Sequence, residues 1–390
     1  MVNVNLLNDF ANDLSSVLEE YKKRDMFAMD ITTTEKCNFQ CDYCFEGGKK
    51  LHDRQYSLED MKNTIYRILE HPSFIREFKS FTINFWGGEP TLKVDDILYY
   101  IEEFAQHPLV YFFFYTNGTL QENIDRIVER FKEYDSLDKI SIQISWDGDP
   151  IHDIHRISGT KAYNSDYVKS QIKRYMDMGV RVDVKSTIVA KDFSKMPEVW
   201  KSFERLNETL PERVVYAPTI DQTYYDNEYL DDFRTAIATI SAYEYDYVRK
   251  YGETLMTWYG QDLTTCSYRH KMCCVDVFGN VYPCHGFLYE SDEVKKRECQ
   301  GNIFDNEWID TFFNERHKYI PIKPELCEDC TATTCISCCV KNGLQSNKET
   351  SYEKWYDRTS TGRCDYYKIF GVYDMALHRM ISINGENNEV

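Results

Sequence analysis

The fourteen cysteines of this 390-residue chain fall into groups. Cys37, Cys41 and Cys44 stand together. Cys266, Cys273, Cys274 and Cys284 follow, then a dense run of Cys327, Cys330, Cys335, Cys338 and Cys339, with Cys364 beyond it and Cys299 alone as a spare thiol. Closely spaced thiols in a reducing compartment read as metal ligands rather than disulfides. The first group, in TTTEKCNFQCDYCFE, has the spacing C-x3-C-x2-C. A cubane 4Fe-4S cluster has four irons, so three cysteines leave one iron open to chelate a ligand. An open coordination position is what separates a catalytic metal site from a structural one.

Such a loop must be held by regular elements. Strand-like segments lie at 27–32, 81–85, 109–115, 140–145, 181–189 and 213–217. Between them, helical periodicity runs over 58–70, 94–105, 121–133, 165–178 and 195–205. Alternation with short connections implies parallel strands, and six countable units imply an α/β fold with a partial (β/α)6 TIM-like barrel. The cysteine loop then follows the first strand, at the C-terminal strand ends where such barrels carry their chemistry. The expected organisation is a helical extension at 1–25, the barrel at 26–250, a cysteine-rich domain at 251–365 that needs metal to hold it, and a C-terminal helix at 366–390.

Other strand ends carry matching groups. Trp86-Gly87-Gly88-Glu89-Pro90 closes the second strand, with glycines that admit close backbone approach and a carboxylate that accepts from an ammonium. Thr116-Asn117-Gly118-Thr119 closes the third and Ser145-Trp146-Asp147-Gly148 the fourth, where Asp147 reads as a turn former. Arg156 ends IHDIHR, and its guanidinium can hold a carboxylate in a bidentate pair. In this order the segments resemble the radical SAM superfamily. The resemblance implies a 4Fe-4S cluster on Cys37, Cys41 and Cys44, with S-adenosylmethionine on its open iron and a 5′-deoxyadenosyl radical as product of one-electron cleavage. It further implies cofactor contacts from Tyr43, Gly87, Gly88, Glu89, Asn117, Ser145, Arg156 and Val189, though a core role suits Val189 as well.

The second cysteine region, with the hairpin phrase VDVFGNVYPC, resembles the SPASM extension of many radical SAM enzymes. That resemblance implies two auxiliary 4Fe-4S clusters, three in all. One would use Cys266, Cys284, Cys339 and either Cys273 or Cys274. The other would use Cys327, Cys330, Cys335 and Cys364. Cys338 competes with Cys339, and four-thiolate zinc sites have the same ligands.

Relatives of this layout mostly modify peptides or proteins, so a precursor peptide or protein is the expected substrate, with a flavodoxin- or ferredoxin-type reductant. The layout is most similar to sulfatase maturases, in which an Asp base directly follows the cysteine of the VYPC phrase. Here His285 stands there, which weakens formylglycine formation and offers a different catalytic base. The expected reaction is an oxidative modification such as a thioether or carbon–carbon crosslink in a ribosomal peptide. Small-molecule dehydrogenation and a zinc-stapled binding protein are the rivals. Only 36 residues precede Cys37, fewer than a self-standing leader-binding domain needs, so either a separate recognition protein or direct docking on the barrel mouth is expected. A net charge of −18 argues against nucleic acid and anionic membranes as partners. The start MVNVNLLNDFAND has no signal-peptide core and no run reaches membrane-spanning length, so the expected location is cytoplasmic.

Overall fold

The apolar positions of each strand recur at every second residue, and the helices that follow carry apolar stripes. A computed structural model describes residues 24–44, 52–220, 227–256, 271–288, 290–305, 307–315 and 362–386. In it, β1 (Arg24–Thr34), β2 (Phe78–Gly87), β3 (Val110–Thr116), β4 (Ile140–Ser145), β5 (Arg181–Ile188) and β6 (Ala217–Ile220) pair in parallel, in the order β6-β5-β4-β3-β2-β1. The helices Leu58–Leu69, Val94–Phe104, Gln121–Glu133, Ser165–Asp177 and Met196–Asn207 connect them, within two residues of the expected bounds. The α/β architecture of six βα units, open at β6, is the one that the strand and helix pattern predicts.

One sheet face packs on the helices. Met29, Ile83, Phe112, Ile140 and their neighbours Ile31, Phe85, Phe114, Ile142 and Val184 belong to a single buried core. The Leu58–Leu69 helix shows how local sequence sets this packing. Ser57 and Asp60 form a capping box that starts it, and Met61, Ile65, Ile68 and Leu69 line its buried side. The other face, here called the inner face, carries Asp30, Asn84, Trp86, Tyr115, Gln143, Asp183 and Lys185. Such polar groups suit a ligand-binding surface better than a packed core.

One expectation is corrected. The sixth strand begins at Ala217, not near residue 213, because Asn207 takes both backbone groups of Val214 (2.7 and 2.9 Å) before pairing with β5 can start. Pro218 is tolerated because β6 is the sheet edge. The VDVFGNVYPC hairpin forms, as β7 (Met272–Val275) and β8 (Asn280–Tyr282), but it also joins the barrel sheet, since β7 pairs in parallel with β1 and β9 (Gly301–Asn302) extends the edge. Strands from before and after residue 250 thus share one sheet. The Glu307–Glu315 helix sets Phe312 and Phe313 against Phe27 of β1, with ring centroids 5.7 Å away in both cases. The Gly362–Glu386 helix packs on the Leu230–Tyr251 helix with Phe370 and Leu377 buried. Residues 1–23 of the expected N-terminal helix lie outside the described residues, and Arg24 and Asp25 already belong to β1. Among the described residues no helix is long and apolar enough to cross a membrane.

Candidate active site

Cys37, Cys41 and Cys44 lie in the loop after β1, and all three still reach solvent. Four separate contacts brace this loop. First, Gly88 and Glu89 at the end of β2 donate their backbone N–H groups to the carbonyls of Thr34 (3.0 Å) and Lys36 (2.8 Å). A Cβ on Gly87 or Gly88 would lie 2.2 Å from the Thr34 oxygen or 2.3 Å from the Lys36 oxygen. The two glycines are therefore needed first for the approach of the cysteine loop itself, and not only for a ligand.

Second, Glu89 ties β2 to β3. Its buried carboxylate accepts from the Thr91 hydroxyl (2.6 Å), the Thr116 hydroxyl (2.8 Å) and the Asn117 N–H (2.8 Å). Burial pushes its pKa up, and these donors oppose the shift. Among the described residues Oε2 has the one donor, Asn117, and so keeps capacity for another. Asn117 in turn donates to Asn38 Oδ1 (2.7 Å) and lies 4.0 Å from Cys37 Sγ.

Third, Asp147 is a hub. It accepts from Arg156 Nε (2.9 Å) and Nη2 (3.0 Å), from the Thr187 N–H (2.8 Å) and from the Tyr43 hydroxyl. The bidentate edge of Arg156 is thus turned to Asp147, while its guanidinium lies over the Tyr43 ring. Fourth, His155 is fully buried between Asp42 (2.9 Å) and Asp192 (2.6 Å), which pins the loop between Cys41 and Cys44.

Desolvation by the surrounding loop raises the Cys37 pKa to about 12, helped by the Glu89 carboxylate. It raises Cys41 to about 11, opposed by Arg156. These thiols keep their protons at neutral pH until a metal displaces them. Among the described residues no three His, Cys, Asp or Glu side chains converge on the position of a single metal ion. A cubane offers each thiolate a separate iron, so the three-cysteine donor set fits a cluster.

A second group lies on the inner face. His285 Nδ1 is 2.9 Å from Asp30 Oδ2, and Asn84 donates to Asp30 Oδ1 at 2.7 Å. The imidazole stacks on Trp86 at 4.4 Å, and its side chain is 37% exposed while Asp30 is fully buried. A buried carboxylate at Nδ1 selects the tautomer that leaves Nε2 as the acceptor. Cys273 pairs in register with Met29 and joins the hydrophobic core. Cys274 pairs with Asp30, so it takes the inner face. Burial pushes its thiol well up, with Asp30 and the nearby Cys284 adding to the shift.

Ser145 ends β4, partly buried, and Val189 follows β5, 3% exposed. Cys266, Cys327, Cys330, Cys335, Cys338 and Cys339 lie outside the described residues, and Cys364 is on the C-terminal helix. The sequence reading missed Asp30, His155 and the hub role of Asp147. Asp30 carried a signal, since a carboxylate inside a strand as apolar as FAMDI needs a partner.

The Radical SAM superfamily model matches residues 31–206. Among curated proteins, GTP 3′,8-cyclase of Pasteurella multocida is 24% identical over 175 residues, covering 44% of this chain and 48% of that protein. An uncharacterised protein of Methanocaldococcus jannaschii is 31% identical over 129 residues, covering 32% and 40%. The match spans half or less of each curated relative. Among solved structures, anSMEcpe with bound AdoMet and the Cp18Cys peptide superposes with a TM-score of 0.67 at 18% identity, covering 93% of this chain and 99% of that one. Streptococcus suis SuiB bound to its precursor peptide SuiA gives 0.55 at 15% identity, covering 88% and 79%. These likenesses establish a shared fold.

Proposed function

Because residues 31–206 belong to the Radical SAM superfamily, we propose that the chain is a peptide-oxidising enzyme that cleaves S-adenosylmethionine. The observation that carries this reading is the cysteine loop, tied to β2, β3 and the β4–β5 turn. Cys37, Cys41 and Cys44 would hold a 4Fe-4S cluster, which would supply the electron for cleavage of S-adenosylmethionine and so the means to remove a hydrogen atom from the substrate. The protein's part is orientation. The free capacity of Glu89 Oε2 suits an ammonium, and Asn117, Ser145, Val189 and the Tyr43 backbone stand at the strand ends around the loop. Arg156 supports that ring by holding Asp147 and Tyr43.

Loss of a hydrogen atom leaves one further electron and one proton to remove. His285 Nε2, fixed by Asp30, is the proton acceptor in this reading. Auxiliary 4Fe-4S clusters of a SPASM-type tail would supply the acceptor for that electron, with Cys274 and Cys284 among the residues that would hold one of them, and a flavodoxin- or ferredoxin-type carrier would be the redox partner. Cys273, committed to the core, is the poorer ligand of the pair. Peptides bound to anSMEcpe and to SuiB support a peptidic substrate. His285 in place of a carboxylate base favours a crosslink over formylglycine. The test is mass spectrometry of candidate peptides after anaerobic incubation with S-adenosylmethionine and a reductant. A crosslink removes the mass of two hydrogens and leaves nothing for an aldehyde-trapping reagent. A trapped aldehyde would establish formylglycine chemistry instead, and unchanged peptides with oxidised small molecules would sink the peptide reading.

A further inference from the structure

The strand register fixes which side chains share the inner face. Asp30 is paired with Asn84, Asn84 with Phe113, Phe113 with Ser141, and Ser141 with Arg181. Along β5 the same face then carries Asp183, beside Gln143, and Lys185, beside Ser145 and Ala217. Val184 and Ser186, on either side of Lys185, point to the helices and are 1% and 0% exposed. Lys185 therefore stands on the face that carries Asp30 and His285, toward the strand ends that border the cysteine loop.

Lys185 is half-buried and its ammonium has no hydrogen-bond or ion-pair partner among the described residues. Burial alone lowers its pKa, with no charge opposing or assisting the shift. Asp183 does not pair with it. Other cations near the loop are committed: Arg156 to Asp147, Lys36 to Asp53 (2.7 Å) and Lys195 to Asp192 (2.7 Å). A lysine kept for stability gains by pairing, whereas a desolvated and unpaired ammonium is a standing cost unless a ligand completes it. It stands beside Ser145, one of the strand-end residues placed around the cofactor in the reading above.

We propose that Lys185 is a carboxylate-binding residue, completed by the carboxylate of a molecule held on the inner face. It rests on the radical SAM reading only for the identity of that molecule. Two sources share this chemistry: the aminoacyl carboxylate of S-adenosylmethionine and an acidic group of the peptide.

The test uses anaerobically reconstituted holoprotein as wild type, Lys185→Met and Lys185→Arg. In one arm, equilibrium dialysis compares S-adenosylmethionine with its decarboxylated analogue. In the other, fluorescence anisotropy compares a labelled hexapeptide mixture with a fixed Glu against the same mixture with Gln, in the presence of S-adenosylmethionine. The expected result is a loss of about 10- to 100-fold in Lys185→Met for the carboxylate-bearing ligand of one arm, largely recovered in Lys185→Arg. The arm that moves identifies the source. The unliganded Lys185→Met protein should melt no lower than wild type, because an unpaired ammonium has been removed. Equal binding to wild type in both arms would overturn the proposal, and so would a clear drop in unliganded melting temperature, which would mark a structural lysine. A wild-type protein that binds neither S-adenosylmethionine nor its analogue would defeat the radical SAM reading instead, and the peptide arm would then decide for Lys185.

Discussion

Replacing Gly88 by alanine tests whether the β2 end positions the cysteine loop. The added Cβ would lie 2.3 Å from the Lys36 carbonyl oxygen, 2.5 Å from its carbon and 2.7 Å from the Glu35 oxygen. All three are backbone atoms, so no side chain can rotate away. Carbon and oxygen rest at about 3.3 Å, so the loop must retreat by about 1 Å. That retreat removes the Gly88-to-Thr34 and Glu89-to-Lys36 hydrogen bonds. At about 1 kcal/mol for each, plus residual overpacking of about 1–2 kcal/mol, the variant should lose about 3–4 kcal/mol of stability. Cys37 directly follows Lys36, so its sulfur moves with the loop, and a misplacement of about 1 Å can slow a positioned reaction about 100-fold. Urea unfolding of the apoprotein reads the first effect. Iron per chain and the rate of 5′-deoxyadenosine release after reconstitution read the second. A wild-type urea midpoint together with wild-type iron and rate would refute the reasoning.

Three further outcomes follow from the same contacts. Asp147→Asn strips the charge that pairs Arg156, whose side chain is 9% exposed, and should cost about 3 kcal/mol in thermal unfolding. Asp95→Asn, at an exposed pair with Arg126, should cost under about 0.5 kcal/mol, and equal costs would contradict the hub. Cys274→Ser should remove about four irons per chain, while Cys273→Ser should lower stability and keep the iron; the reverse pattern would overturn the register argument. Glu244 is fully buried, accepting from Trp200, Leu255 and Met256, and burial raises its pKa from 4.5 to about 7. Because the folded value lies above the unfolded one, its contribution is complete below about pH 4.5 and is lost as pH rises to about 7. That loss is worth about 3 kcal/mol, and urea midpoints of Glu244→Gln should lack this slope. An unchanged slope would place the titration elsewhere.

The strand and helix order was legible because each element has its own periodicity, from the capped Leu58–Leu69 helix to the aromatic run of β3. The sixth strand was misplaced by four residues because Asn207, remote in the pattern, satisfies the backbone of Val214. The cysteine triplet and the Gly87–Glu89 turn were legible as motifs, since their types and spacing are local. What those residues touch was not. Arg156 meets Asp147 only because the chain doubles back after β4, and Asp30 meets His285 across 255 positions of sequence. Register alone separates Cys273 from Cys274, and register depends on pairing between distant strands. Lys185 reads in the sequence as an ordinary alternating position of β5; its lack of a partner is a property of the assembled sheet.

In the proposed function, Cys37, Cys41 and Cys44 hold the cluster at which S-adenosylmethionine is cleaved. The most direct measurement is 5′-deoxyadenosine release by anaerobically reconstituted protein, with iron and sulfide counted on the same samples, for wild type and for the variant with all three cysteines changed to alanine. About twelve irons are expected in wild type and about four fewer in the variant, with nucleoside release abolished and the auxiliary iron retained. Undiminished release by the variant, or bound zinc without sulfide in wild type, would contradict it.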